Sequence, residues 1–397
     1  MIKTARRLDS INEYYFSKKL KEIAAMNADG KRVVNLGIGS PDLPPSVAAV
    51  EKLIETARLP TSHAYQGYIG VPALRAAMAA FYKKNYHVEL NPTTEILPLL
   101  GSKEGIMHVA MTYLESGDRA LLPNPGYPTY RAAVTLAGAK VVDYDLLERR
   151  NWLPDLDKLA KKDLSKTKLM FVNYPNMPTG ATASKSFFQE LVTFAKQHNL
   201  LIINDNPYSF ILNDKPISLL DTEGWRDVAL ELNSLSKSHN MAGWRVGMLA
   251  GKAEYISDVL RFKSNMDSGM FLPVQLAAVE ALQADNQWFT ELNAEYRRRQ
   301  KKVFELLKMI GCRFDRKQTG MFVWAKMPTG YKSGFEVSDE FLYGANVFIT
   351  PGGIFGSRGD GYVRVSLCAK VEVFDEAMER ISQFLKEKID KKQTVYV

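Results

Sequence analysis

Short apolar runs alternate with amphipathic helical stretches between residues 95 and 250. The runs are short and bounded by turn residues, which is typical of buried strands. The predicted strands are residues 95–100, 120–122, 141–144, 169–172, 200–204, 229–232 and 246–250. Predicted helices at 103–114, 130–136 and 185–198 lie between most of them. This alternation predicts an α/β fold with a large domain, built on a mostly parallel seven-stranded sheet that helices flank.

The two ends of the chain have a different pattern. Asp9 or Ser10 can cap a helix that runs to about Asn27, where Gly30 ends it. Beyond a long charged helix at 286–309 the pattern predicts strands at 312–314, 322–325, 347–350 and 362–366, and a helix at 371–388. We therefore expect a smaller α+β domain formed by the N-terminal segment and the C-terminal third. The predicted division is 1–45 (arm and part of the small domain), 46–285 (large, ligand-binding domain) and 286–397 (small domain).

Composition excludes several classes of protein. The net charge of +8 is spread over 397 residues without a basic run, so nucleic-acid binding has little support. No apolar stretch is long enough for a membrane span, and no apolar run follows the basic N-terminus as in a signal peptide. Only two cysteines occur, Cys312 and Cys368, which indicates a reducing compartment. We expect a cytoplasmic protein without a metal site.

Polar motifs follow the predicted strands. Ligands of open α/β sheets bind at the carboxyl ends of the strands, so these motifs are expected to share one site. Gly101, Ser102 and Lys103 open a helix after the first strand, and a helix N-terminus can bind a phosphate. The alternative is a simple helix cap. The segment is not a nucleotide-binding P-loop, because the Gly-Lys-Ser/Thr ending is missing.

Lys237 is the most informative residue of the chain. Its amine can form a Schiff base with an aldehyde cofactor, and Ser234, Ser236 and Arg245 nearby can hold that cofactor's phosphate. Taken alone, a lysine between serines is more often an exposed loop residue. The spacing to Arg245 and the motifs at the other strand ends favour the cofactor interpretation.

Three further residues each allow two interpretations. Tyr127 can stack on a flat ring or be a turn tyrosine packed on the core. Asp205 can keep a pyridine nitrogen protonated or be a cap residue. Arg364, between two valines, can bind a substrate carboxylate or form a structural salt bridge.

The order and spacing of these motifs resemble the class I/II aminotransferases. The resemblance is carried by Lys237 with Arg245, Asp205 with Tyr208, Pro178-Thr179-Gly180, Tyr127 and Arg364, and it spans residues 35–366. These are pyridoxal-phosphate enzymes of fold type I, the aspartate aminotransferase family. The resemblance implies transfer of an amino group from an amino acid to a 2-oxo acid by a ping-pong mechanism.

The resemblance also implies roles for individual residues. Lys237 would be the Schiff-base lysine and the base that moves the proton, with Asp205 at the pyridine nitrogen and Tyr208 at the 3′ oxygen. Ser102, Lys103, Ser234, Ser236 and Arg245 would hold the phosphate, Tyr127 would stack on the ring, and Arg364 and Gly39 would bind the α-carboxylate. Tyr65 would reach the phosphate of a neighbouring subunit, which implies a homodimer with shared active sites.

The chain departs from the family at Met177. The family has Asn-Pro-Thr-Gly, and here Met177 stands in place of that asparagine, which bonds the 3′ oxygen of the cofactor. Asn176 is one residue earlier and could substitute for it if the backbone shifts. A one-residue step in an extended segment turns the side chain away, which argues against this substitution.

Three other functions compete with amino transfer. A carbon–sulfur β-lyase on the same fold would release pyruvate and ammonia, and a non-catalytic protein that keeps the cofactor fold would not need Lys237, Asp205 and Arg364 together. A nucleotide-binding oxidoreductase would require a complete GxGxxG motif, which is missing at the glycine-rich segment 37–42. The substrate is not specified by these residues, although segment 36–43 resembles the diaminopimelate aminotransferase branch. Arg261 and Lys263 are candidates for binding an acidic side chain, with a solvated helix surface as the alternative.

Overall fold

A seven-stranded sheet forms the centre of the larger part of the protein. The structure is a computed structural model that describes residues 2–11, 13 and 15–394. The strands are β1 Val34–Asn35, β2 Ile96–Leu99, β3 Arg119–Asn124, β4 Lys140–Asp145, β5 Thr167–Val172, β6 Leu201–Asp205, β7 Ala229–Ser234, β8 Gly247–Gly251, β9 Phe322–Lys326, β10 Val347–Phe348, β11 Thr350–Pro351 and β12 Tyr362–Ser366. The α-helices are α1 Tyr15–Ala28, α2 Val47–Ala57, α3 Pro72–Tyr86, α4 Ser102–Tyr113, α5 Pro128–Leu136, α6 Leu156–Ala160, α7 Lys185–His198, α8 Leu235–Ser238, α9 Ala253–Lys263, α10 Leu272–Leu282, α11 Asn286–Met309, α12 Gly334–Ala345 and α13 Val371–Thr394.

The strand order of the large sheet is β2-β8-β7-β6-β5-β3-β4. All neighbouring pairs are parallel except those of β8, which runs antiparallel to both β2 and β7. This arrangement confirms the predicted α/β fold. Because β2, β5, β6 and β7 run in one direction, their carboxyl ends share one edge of the sheet.

Both faces of this sheet are buried. In β5, Met170 and Val172 belong to one apolar core, and Leu169 and Phe171 belong to the core on the opposite face. Successive side chains of a strand point to opposite faces, so a continuous apolar run fills two cores at once. This is why the short runs without polar alternation became central strands.

Helix α7 shows how local signals set the boundaries of the covering helices. The Ser184 hydroxyl accepts a hydrogen bond from the Phe187 N–H at 3.1 Å, which caps the helix at its start. Asn199 ends it in the left-handed conformation at φ 52°. The sequence predicted these bounds, and those of α11, as the structure has them.

Predicted elements near both ends of the chain differ from the structure. The first helix begins at Tyr15, and Asp9 and Ser10 lie in a turn after a 3₁₀ helix at Arg6–Leu8. The predicted strand at 312–314 is reduced to a single bridge between Arg313 and Lys326. Both predictions relied on local residue type, whereas neighbouring elements decide where a terminal helix begins or an edge segment pairs.

The second part of the fold contains a three-stranded antiparallel sheet in the order β11-β12-β9 and a parallel pair of β1 with β10. The N-terminal strand β1 therefore pairs with a strand from the C-terminal third. This confirms the smaller α+β unit, while the domain boundaries after residues 45 and 285 remain a prediction. Across the described residues, no helix combines the length and apolarity needed to cross a membrane.

An ion pair formed by the buried Arg299 links the N-terminal segment to α11. The Arg299 side chain is 1% exposed, and its Nη1 and Nη2 donate to the two carboxylate oxygens of Asp42 at 2.6 and 3.0 Å. Arg299 also donates to Glu295 at 2.7 Å and to the carbonyl of Leu367 at 3.0 Å. The segment that follows Gly39 is thus fixed to the C-terminal part of the chain.

We predict that Arg299→Ala lowers the free energy of unfolding by about 3 kcal/mol, because it removes the packing of a fully buried side chain and leaves the buried Leu367 carbonyl without this donor. The matched control is Arg298→Ala. Arg298 also bonds Glu295, but its side chain is 59% exposed, so its loss should lower the stability far less than the loss of Arg299. Urea denaturation of both variants measures the difference, and equal losses would contradict the prediction.

Candidate active site

The predicted site residues meet in one cavity at the carboxyl edge of the large sheet. Its volume is about 650 Å³. The predicted residues that line it are Gly39, Ser102, Lys103, Tyr127, Asp205, Tyr208, Ser234, Ser236, Lys237, Arg245 and Arg364. Gly39 and Arg364 belong to the second part of the fold, so the cavity lies between the two parts.

One corner of the cavity is suited to an anion. Ser102 begins helix α4, and Ser234 and Ser236 are joined by a hydrogen bond of 2.8 Å between their hydroxyls. Arg245 Nη1 lies 3.5 Å from the Ser236 hydroxyl. We call these four residues the anion corner. A helix N-terminus, two hydroxyls and a guanidinium are the donors that a phosphate prefers.

Gly101 allows the anion corner to form. Its φ is +89°, and a Cβ at this position would lie 2.1 Å from Arg245 Nη2. Any larger residue would therefore push the guanidinium away and strain the backbone. Gly101 therefore allows the Arg245 guanidinium to come close to the start of α4, in addition to preceding the first residue of that helix.

Lys237 lies in the short helix α8 directly after β7. Its Nζ donates to the carbonyl of Gly39 at 2.6 Å. Burial lowers the pKa of the amine from its ordinary value; the Cys368 thiol opposes this shift, and the positive charges of Arg364 and Arg245 add to it. A lysine that loses its proton more easily is a better nucleophile and a better base.

Asp205 ends β6 and is 4% exposed. Its Oδ2 accepts a hydrogen bond from the Tyr130 hydroxyl at 2.8 Å, while its buried Oδ1 has no partner among the described residues. Burial raises the pKa of this carboxyl to about 6, the Tyr130 bond lowers it, and the charge of Glu231 raises it further. A cationic N–H in the cavity would satisfy the remaining oxygen and reverse this shift.

Arg364 lies in the middle of β12 and points into the cavity. Val363 and Val365 on either side enter the apolar core, so strand alternation turns Arg364 to the opposite face. Nη2 donates to the carbonyl of Gly37 at 2.8 Å, and Nη1 lies 3.2 Å from the sulfur of Met177. The binding of a substrate carboxylate by Arg364 remains a prediction.

A family model described as aminotransferase class I and II matches residues 31–381. The chain belongs to this family. It is 42% identical to an LL-diaminopimelate aminotransferase of Dehalococcoides mccartyi over 97% of this chain and 100% of the relative. It is 40% identical to one of Halothermothrix orenii over 96% and 98%. The fold matches a substrate-bound structure of BacF from Bacillus subtilis with a TM-score of 0.92 and 37% identity, covering 96% of this chain and 98% of that one.

The chain is therefore an aminotransferase that depends on pyridoxal phosphate and acts on an amino acid and a 2-oxo acid. The residues present fit this cofactor. The unpartnered oxygen of Asp205 suits a protonated ring nitrogen, and the anion corner suits the phosphate. These two features lie in the same cavity as the Lys237 amine.

The aminotransferase does not replace the family asparagine with Asn176. Asn176 lies outside the cavity lining, and its Oδ1 accepts hydrogen bonds from the backbone and the hydroxyl of Thr179 at 3.2 and 2.7 Å. Met177 lines the cavity instead. The assignment of Asn176 to the cofactor is wrong because neighbouring side chains of this segment point in different directions, and Asn176 stabilises the turn.

The three other tyrosines differ in their surroundings. Tyr127 and Tyr208 line the cavity, and burial raises the pKa of both phenols. Tyr208 packs its ring edge-on against Phe322 with 5.9 Å between ring centroids. Tyr65 is 92% exposed and does not line the cavity of its own chain.

Two site residues escaped the sequence analysis. Tyr130 lies one helical turn after Tyr127 and bonds Asp205, but in the sequence it is only one apolar position of α5. Asn173 follows β5, lines the cavity and donates its amide to the backbone carbonyl of Asp205. The position of Asn173 directly after a predicted strand could have identified it, because other site residues were predicted from positions of this kind.

We predict that Asp205→Asn stabilises the cofactor-free protein by up to roughly 3 kcal/mol above pH 6, while abolishing most amino transfer. The pKa of about 6 in the folded state exceeds the ordinary 3.8. The folded protein therefore keeps this proton longer than the unfolded chain, and the cost of the buried charge appears as the pH rises from 4 to 6. The amide carries no charge, so the gain should vanish below pH 4.

Asp163→Asn serves as the control, because the pKa of the Asp163 carboxyl is shifted in the opposite direction to that of Asp205. The Ser165 hydroxyl and backbone N–H hold the pKa of the Asp163 carboxyl below its ordinary value, so losing the charge should not stabilise the protein above pH 6. Denaturation of the cofactor-free variants across pH 3.5–8 measures both effects. A gain for Asp205→Asn that does not depend on pH would show that burial of the charge is not its cause.

Proposed function

We propose that Lys237 carries the cofactor and moves the α-proton of the substrate. The observation that carries this proposal is the position of its amine. Lys237 Nζ contacts Gly39 in the cavity that also holds the unpartnered Asp205 oxygen and Arg364. The described lysines of the cavity lining are Lys237 and Lys103. Lys237 is partly buried, whereas Lys103 is exposed.

Pyridoxal phosphate, once bound, supplies the electron sink that accepts the charge left when the α-proton departs. Asp205 would hold the ring nitrogen protonated, and Tyr208 would serve the 3′ oxygen. Tyr127 would stack on the ring, and the anion corner with the backbone of Lys103 would hold the phosphate. Lys237 would take the α-proton of the substrate and return it at the aldehyde carbon of the cofactor.

Arg364 binds the α-carboxylate of the substrate, with Gly39 supplying a backbone contact. Its planar guanidinium matches a carboxylate with two parallel hydrogen bonds. Release of the first product before the second substrate binds gives ping-pong kinetics.

We further propose that the active unit is a homodimer. Exposed apolar side chains cluster on the loop before α3 and on the loop before α10, where the rings of His63 and Phe271 lie 5.9 Å apart. The exposed members are Tyr65, Tyr68, Ile69, Met266 and Phe271. A surface of this kind is typical of a protein interface. It would deliver Tyr65 to the partner's phosphate.

The proposed location is the cytoplasm. Cys312 and Cys368 are both free thiols. A reducing compartment keeps such thiols in this form.

The relatives named for LL-diaminopimelate make that amino acid the first donor to test.

We predict that borohydride reduction fixes the cofactor onto Lys237, because reduction makes the carbon–nitrogen bond between them permanent. Peptide mass mapping should place the cofactor mass on Lys237 and leave Lys103 unmodified. Lys237→Arg, which keeps the charge, should bind cofactor without this adduct. Modification at Lys103, or no adduct with cofactor present, would overturn the proposed function.

We predict that a Tyr65→Phe chain and a Lys237→Ala chain, each poorly active alone at limiting cofactor, regain activity when mixed as heterodimers. One of the two sites would then combine an intact Lys237 with an intact Tyr65 from the partner. Tyr68→Phe mixed with Lys237→Ala serves as the control, since Tyr68 is another exposed tyrosine of the same loop. Full activity in isolated monomers would refute the shared site.

A further inference from the structure

In the proposed function, each positively charged residue of the cavity lining acts on the cofactor or on the α-carbon and α-carboxylate of the substrate. The described cations of the lining are Lys103, Lys237, Arg245 and Arg364. Lys237 and Arg364 act on the substrate's α-carbon and α-carboxylate, and Arg245 belongs to the anion corner. Lys103 directly follows Ser102 at the start of α4, on the phosphate side of the cavity.

The surroundings of Arg364 are apolar. Its guanidinium carbon lies 3.9 Å from the ring centroid of Phe322, 4.7 Å from that of Phe355 and 5.6 Å from that of Phe16. The Met177 sulfur lies 3.2 Å from Nη1. A substrate carboxylate bound here would lie next to aromatic rings and a thioether.

Helix α1 extends this surface. Phe16 and Leu20, spaced by one helical turn, both line the cavity with Ser17 between them, and Ile38 lines it from the glycine-rich segment. We call Phe16, Leu20, Ile38, Met177, Phe322 and Phe355 the apolar wall. Among the lining residues that the structure describes, the carboxylate is Asp205, which faces the ring nitrogen in the proposed function.

The sequence candidates for recognising an acidic side chain lie elsewhere. Arg261 is 79% exposed and pairs with Asp258, and neither residue lines the cavity. Lys263 is 1% exposed and donates to both oxygens of Asp267 at 2.8 and 2.6 Å. Its charge is compensated within the fold, which corrects the expectation of a solvated lysine.

We infer that the preferred amino donor has an uncharged apolar side chain, aliphatic, aromatic or thioether, which packs on the apolar wall. This inference rests on the proposed function. A second carboxylate or ammonium placed against the wall would lose its hydration without gaining a partner. LL-diaminopimelate carries both, so the chain differs in donor preference from the relatives named for that substrate.

Two measurements on the cofactor-loaded enzyme test the inference. The first is the rate of the half-reaction with leucine, methionine or phenylalanine against glutamate and LL-diaminopimelate, followed by the absorbance of the cofactor and by the 2-oxo acid formed. The second is the calorimetric affinity for 3-phenylpropanoate against pentanedioate, two carboxylates without an amino group that cannot react. We expect the apolar member to be favoured at least tenfold in both.

The outcomes separate the inference from the proposed function. Faster reaction with glutamate or LL-diaminopimelate, or tighter binding of pentanedioate, would overturn the apolar preference and leave the aminotransferase intact. If no amino acid reacts, the proposed roles fail, and the binding order of the two carboxylates still decides whether the wall selects apolar groups.

A variant of helix α1 tests the wall itself. Leu20→Arg should shift the affinity ratio at least tenfold toward pentanedioate, because it places a cation on the wall at a position that is 43% exposed and tolerant of a long side chain. The matched control is Ala25→Arg, which adds the same charge at an exposed position of α1 outside the cavity lining. Equal ratios for the two variants would show that α1 does not face the substrate.

Discussion

The active site depends on one constraint of the sheet: strands that run in the same direction end at the same edge. Residues far apart in sequence, at the ends of β2, β5, β6 and β7, come together there. The apolar runs that form these strands supply the burial, and the polar residue that follows each run supplies the chemistry. The antiparallel β8 begins at this same edge, which is how Arg245 joins the anion corner.

Two charged groups of the active site are not fully compensated by the protein itself. Asp205 has one satisfied and one unsatisfied oxygen, and Lys237 is buried near two arginines. Each arrangement carries a cost in the free protein, and a bound cofactor and substrate remove it. By contrast, Arg299 with Asp42 and Lys263 with Asp267 are compensated inside the fold and hold it together. The difference between the two kinds of buried charge separates functional from structural residues here.

The sequence predicted the sheet, the long helices and most of the cavity because these depend on local signals: apolar runs, capping residues and polar residues at strand ends. It failed where the outcome depends on direction or on distant partners. Asn176 and Met177 are adjacent, and only the backbone path decides which one faces the cavity. Tyr130 acquires its role from Asp205, which lies in another element. The start of α1 and the pairing of residues 312–314 were set by packing rather than by residue type.

Helix α1 lies outside the large sheet and packs with residues of the C-terminal part, where Phe16 and Ile23 share a small core with Leu342 and Phe348. Chemistry and selectivity are therefore carried by separate pieces of the chain. The strand ends of the large sheet hold the reacting groups, while α1 supplies two of the six residues of the apolar wall, Phe16 and Leu20. In evolutionary terms, such a division lets relatives exchange one amino acid for another by altering positions outside the large sheet, so that a shared reaction does not entail a shared substrate.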